Sequence, residues 1–188
     1  MANPRDEELI ARVAGGELAA FEELYARYTR KLFGFALRLT RAPELVDEIV
    51  NDTLLAVWRS AASFDGRSKL STWIFGIAYR KAMRALGRRR LPEADASEGP
   101  VPVADARELP DAVFERDEMA LRLRRAVGEL PAEQRLVVEL TFFQGLSYPE
   151  IAAVVDCPVN TVKTRMFHAR RKLRAALPRF GLDRPAAG

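Results

Sequence analysis

Four polar side chains, Asp47, Glu48, Asn51 and Asp52, fall within six residues at three- and four-residue steps, so a helix gathers them on adjacent faces. Carboxylates so placed could act as a general acid and base or ligate magnesium. No Gly-rich phosphate loop, histidine or second acidic cluster stands with them to support catalysis. The chain has one histidine, His168, and one cysteine, Cys157, eleven residues apart. A nucleophile–histidine enzyme would have to use that single imidazole, and no Cys/His metal centre is expected. One cysteine also excludes an internal disulfide framework. The acidic group would repel DNA, so it reads either as a solvated face or as a surface for a basic protein. The expectation is a binding protein with no metal and no cofactor, rather than an enzyme.

Two basic groups could meet nucleic acid. The first is Arg80-Lys81-Ala82-Met83-Arg84-Ala85-Leu86-Gly87-Arg88-Arg89-Arg90, six cations without an acid, directly after the aromatic-rich residues 64–79. Cations track backbone phosphates and aromatic faces stack on unpaired bases, a pairing suited to strand-separated DNA. Trp58, Phe75 and Ile74 read as core, while Trp73 and Tyr79 could be core or base platforms. The second group lies in residues 147–174. A short helix, a tight turn at Asp156-Cys157-Pro158 and a basic second helix form a helix-turn-helix. Val162, Met166, Ala169, Leu173 and Leu177 give that second helix an apolar seam. Asn160, Thr161, Lys163, Thr164, Arg165, Phe167, His168 and Arg171, with Arg170, Lys172 and Arg174, occupy its other faces. Groove insertion needs this division: an apolar back that fixes the angle and a polar front that reaches bases and phosphates.

These groups need helices to carry them, and the 188-residue chain supplies the pattern. Apolar steps of three and four predict helices over residues 7–14, 17–40, 43–62 and 71–86, the last capped by Ser71 or Thr72. A second set covers residues 114–129, 131–144 and 147–155, then runs from 159 to 177. Pro43, Pro131 and Pro149 fit first turns, where a missing donor is harmless. Strand alternation is absent. No run of about 18 apolar residues occurs, and the N-terminal stretch turns acidic where a leader would need an apolar core. A cytoplasmic protein without membrane insertion is the expectation.

The net charge of +4 hides three blocks: +5 over residues 1–90, −7 over 91–118 and +6 over 119–188. Residues 91–111 hold four prolines, a glycine and many acids, with little to bury, and read as an extended acidic linker. The expected fold is therefore all-α, with two small helical domains, 1–90 and 112–188, joined by a flexible linker and with the helix-turn-helix in the second.

The ordered set of segments resembles an extracytoplasmic-function (ECF) sigma factor. The resemblance rests on Phe21-Glu22-Glu23-Leu24-Tyr25, the helix from Asp47 to Trp58, Phe64-Asp65-Gly66-Arg67-Ser68-Lys69-Leu70-Ser71-Thr72-Trp73-Ile74, Leu130-Pro131-Ala132-Glu133-Gln134-Arg135, Tyr148-Pro149-Glu150-Ile151-Ala152 and Thr161-Val162-Lys163-Thr164-Arg165. It implies that the first domain binds the β′ clamp helices of RNA polymerase core through Asp47, Glu48, Asn51 and Asp52. The same domain would open the −10 element, using Phe64, Lys69, Ser71, Thr72, Trp73, Tyr79, Arg80 and Arg84. The second would rest on the β flap and read the −35 duplex through Asn160, Thr161, Lys163, Thr164, Arg165, Phe167, His168 and Arg171. The acidic linker would thread toward the RNA exit channel, and a cognate anti-sigma factor would hold the chain inactive. Arg80 stands where many relatives carry Asn, and His168 where Arg is usual, which weakens a contact at neutral pH. Two rivals make other predictions: a stand-alone helix-turn-helix regulator binds a palindrome without polymerase, and a nucleic-acid enzyme cleaves with magnesium.

Overall fold

The computed structural model describes residues 4–90 and 118–180; the expected linker, 91–111, lies outside them. Every regular element among the described residues is helical. The first module comprises α1 (Pro4–Ala14), α2 (Leu18–Thr40), α3 (Pro43–Ser60) and α4 (Leu70–Arg90). The second comprises α5 (Glu118–Gly128), α6 (Ala132–Val138), α7 (Tyr148–Val155) and α8 (Val159–Ala176).

Local chemistry sets most boundaries. At the end of α2, Arg41 adopts a left-handed conformation (φ 54°), and its N–H donates to the Leu37 carbonyl. Thr40 Oγ1 donates back to the Ala36 carbonyl at 2.8 Å and accepts the Ala42 N–H at 3.2 Å. Pro43 then opens α3, so the chain reverses within three residues. The start of α4 differs from expectation. Neither Ser71 nor Thr72 caps it: the Lys69 carbonyl accepts the Trp73 N–H at 3.1 Å, and Thr72 lies buried inside the first turn. The stretch expected as one helix from Pro131 is α6 followed by a π turn over Glu139–Phe143. Widening the helix there re-aims Glu139 and Phe143 relative to a straight continuation.

Packing joins the modules. Leu24, Leu32 and Phe35 of α2, Ile49 and Leu54 of α3, and Leu70, Ile74 and Phe75 of α4 are buried, each contributing about 1.5–3 kcal/mol of transfer free energy. Phe35 and Phe75 meet edge to face at 5.2 Å. α4 packs on α2 and α3 and also on α7 of the second module. It is consequently apolar on more than one face, with Ile77, Ala78, Ala82 and Ala85 buried too. The buried residues of both modules form one continuous cluster, from Leu9 through Leu140 and Ile151 to Ala169. Along α8, Val162, Met166 and Ala169 are buried as the seam requires, while Leu173 and Leu177 are half-buried and Ala176 completes the buried row.

Candidate functional site

Three polar surfaces sit on this frame. On α3, Asp47, Glu48 and Asn51 are exposed and Asp52 is half-buried. Lys81 Nζ lies 3.2 Å from Asp52 Oδ2, and Arg88 pairs with Glu48. The basic run on α4 thus neutralises two carboxylates of its neighbour, while Asp47 carries no ion pair among the described residues. The surface is a ridge of mixed charge, and such exposed pairs exchange easily for a partner's cations.

The loop between α3 and α4 and the first turns of α4 form the second surface. Phe64 and Trp73, both half-buried, tilt against each other at 5.5 Å. Ser71 is half-buried and Thr72 is buried, so the threonine hydroxyl faces protein rather than solvent. Lys69 is exposed, but its Nζ sits 3.1 Å from Glu150 Oε1 of α7. Tyr79 lies against the second module, where burial pushes its hydroxyl up, opposed by Arg165 and assisted by Glu133 and Cys157. Arg80 and Arg84 are exposed. Of the expected strand readers, then, Lys69, Thr72 and Tyr79 are engaged within the chain.

The third surface is the helix-turn-helix. Ser147 donates both its N–H and its hydroxyl to Glu150 Oε2 at 2.7 Å, fixing the start of α7. Asp156, left-handed at φ 52°, makes the turn, and its N–H donates to the Ala152 carbonyl. α8 then exposes Asn160, Lys163, Thr164, Phe167 and Arg171, together with Arg170, Lys172 and Arg174. Thr161 and His168 are half-buried, with the imidazole edge-on to Phe167 at 5.5 Å. Arg165 behaves differently from its neighbours. It is half-buried, 2.9 Å from Glu133 and 3.9 Å from the Cys157 sulfur, and so it ties α8 to α6. Among the described residues no group of three His, Cys, Asp or Glu side chains could hold a metal ion.

One constellation was not anticipated from the sequence. Arg135, buried, donates to the Arg38 carbonyl at 3.1 Å, to Leu130 at 3.1 Å and to Gly128 at 3.3 Å. Its guanidinium joins the carbonyl ends of α2 and α5, where the helix dipoles favour a cation. Burial, then Arg41, brings its pKa down to about 10, which leaves it charged at neutral pH. Beside it, Glu139 faces Arg38 across the modules. A lone carboxylate inside Leu136-Val137-Val138-Glu139-Leu140 was the available signal, since an apolar stripe admits a charge only with a partner.

Comparison with known proteins adds an independent finding. Residues 24–91 match the Sigma-70 region 2 family and residues 120–173 match Sigma-70 region 4. The chain is similar to the RNA polymerase sigma-H factor of Pseudomonas aeruginosa, with 31% identity over 94% of this chain and 96% of that one. It is 34% identical to the ECF RNA polymerase sigma factor RpoE of Cereibacter sphaeroides, covering 83% of this chain and 85% of that one. Among solved structures, CnrH in complex with the cytosolic domain of CnrY superposes with a TM-score of 0.66 at 29% identity, covering 93% and 97% of the two chains. The sigma factor RpoE in complex with the anti-sigma factor NepR, from Bartonella quintana, gives 0.64 at 26% identity over 87% and 98%.

Proposed function

The chain belongs to the ECF RNA polymerase sigma factors of the sigma-70 family, a group of transcription initiation factors, and from that premise we propose how its surfaces divide the work. Residues 1–90 dock on core polymerase and open the −10 element, residues 112–188 read the −35 duplex, and the acidic residues 91–111 join them. The α3 ridge, Asp47, Glu48, Asn51 and Asp52, meets the β′ clamp helices. Phe64, Lys69, Ser71, Thr72, Trp73, Tyr79, Arg80 and Arg84 handle the separated strand. α8 enters the major groove with Asn160, Thr161, Lys163, Thr164, Phe167, His168 and Arg171, while Arg165 sets the angle of the helix from its pair with Glu133. The second module also rests on the β flap. Catalysis belongs to the polymerase.

The observation that carries this reading is the two-sided α8. Its apolar seam is buried, and Lys163, Arg170, Arg171, Lys172 and Arg174 face solvent with no carboxylate partner among the described residues. Two weak DNA modules on one enzyme gain affinity through effective concentration, so the chain alone binds duplex poorly and the holoenzyme binds well. Similarity to a sigma factor crystallised with its anti-sigma factor supports a cognate anti-sigma factor for this chain as well. No described helix is long and apolar enough to cross a membrane. The test is run-off transcription of genomic fragments by bacterial core polymerase with and without the purified chain. Promoter-dependent transcripts are expected only with the chain. Tight binding to a palindromic duplex without core, and no stimulated transcript, would overturn the assignment in favour of a stand-alone regulator.

A further inference from the structure

The cations of α4 are not equally free. Arg80 and Arg84 are exposed and carry no carboxylate partner among the described residues. Lys81 and Arg88 carry one each, and both partners lie on α3. Lys81 Nζ sits 3.2 Å from Asp52 Oδ2, and Arg88 Nη2 pairs with Glu48 Oε1. Lys81, Arg84 and Arg88 follow one another at steps of three and four, so they share one face of α4. Glu48 and Asp52 stand one turn apart on α3, within the ridge assigned above to core polymerase. Each ion pair thus takes its carboxylate from the docking ridge and its cation from the helix assigned to the separated strand.

Exposure decides how firmly these pairs hold. The side chains of Asp52, Glu48 and Arg88 are 47%, 48% and 60% exposed, and Lys81 is covered most, at 29%. Pairs this open to water are weak, each shifting an equilibrium by about twofold to fivefold. The helices do not depend on them: α3 packs on α4, and Ile49, Leu54, Ala78 and Ala82 are buried in one cluster. Both pairs can therefore open with the frame intact. A basic surface docking on the ridge competes for Asp52 and Glu48, and a strand of phosphates competes for Lys81 and Arg88. Neither competitor opposes the other, since each takes a different half of the same pair.

We propose that Lys81 and Arg88 are gated DNA contacts: core polymerase, docking on the α3 ridge, takes over Asp52 and Glu48, and the two freed cations join Arg84 in holding strand phosphates. The gating rests on the assignment of that ridge to core. Because the competition runs both ways, core and DNA each raise the other's affinity. The full-length chain, alone and in holoenzyme, provides the test. Acetylation read by peptide mass spectrometry should find Lys81 slow in the free chain and about threefold to fivefold faster once core binds. It should slow again when a promoter fragment from the run-off assay is added. Lys81→Gln with Arg88→Gln should lower the salt slope of holoenzyme–promoter binding by about 1.5, as expected for two lost phosphate contacts. Core binding by the same variant should tighten about threefold, because the internal competitors are gone. Lys81→Arg with Arg88→Lys keeps both charges and should restore the native slope. Lys81 reactivity that stays flat or falls on core binding overturns the gating. An unchanged salt slope in the folded Gln pair makes the two cations structural and overturns the DNA contact. Asp47→Arg tells the two assignments apart. If it leaves core binding intact, the ridge is not the docking surface and the gating falls with it. If it removes core binding while Lys81 reactivity stays flat in the native holoenzyme, the gating alone falls.

Discussion

Lys163 shows most directly what a single side chain can be asked to do. It is exposed on α8, one position beyond the buried Val162, and it has no carboxylate partner among the described residues. Lys163→Ala should weaken −35-dependent transcription by about 1–3 kcal/mol in promoter affinity while leaving core binding unchanged, measured by run-off assay and by core pull-down. Equal loss of both would make the residue structural. His168 predicts the opposite direction. It is half-buried and edge-on to Phe167. His168→Arg adds a permanent cation and should tighten duplex binding by about 0.5–1 kcal/mol at low salt, with the gain fading as ionic strength rises. On α3, Asp47→Arg reverses the carboxylate of its group that no cation neutralises among the described residues. Competition against the native chain for core polymerase should show a clear loss of binding, with duplex affinity untouched.

Among the elements, α7 is the best specified. Its eight residues are too short to be stable alone, so the cap and the buried Ile151, Ala152, Val154 and Val155 must hold it. Burial works against the Glu150 charge, but the Ser147 hydroxyl and N–H and then Lys69 overcome it and hold the carboxyl below its ordinary 4.5. A depressed folded-state pKa gives stability that is complete above the unfolded value and lost as the pH falls through the folded one. Acid titration followed by hydrogen exchange should therefore release the amides of α7 as the pH falls past the ordinary carboxylate range, ahead of the α2–α3 core. Ser147→Ala should cost about 1 kcal/mol in the same region. The π turn carries the other element-scale lesson. The lone carboxylate among the apolar residues 136–140 signals that Glu139 needs a partner, but nothing in the local pattern marks the widening over Glu139–Phe143 that turns it toward α2.

At the scale of the whole molecule, one continuous core links the two modules. Thermal unfolding of the native chain should be a single calorimetric transition, and Arg38→Ala should split it into two; a single, merely lowered transition would mean that the modules do not uncouple there. The residue pattern by itself determined the all-α class, nearly every helix, the buried seam of α8 and the exposed basic and acidic faces, because period, caps and charge are local and each helix meets them within a few turns. Its misses are of another kind. The first turn of α4 starts at Leu70 instead of Ser71 or Thr72, and Thr72 is buried, because tertiary packing on both sides of the helix outweighs a capping preference. Leu18, the first residue of α2, is 63% exposed, although Ala20 and Leu24 further along the helix are fully buried. The pairing of Arg165 with Glu133, and of Lys69 with Glu150, 81 residues away in the chain, was likewise not legible. Only the tertiary structure decided which charged groups face solvent and which face each other. Sequence spacing fixes which face of a helix a charge lies on, but the distance to a partner on another module depends on how the modules pack, and Coulomb attraction follows that distance.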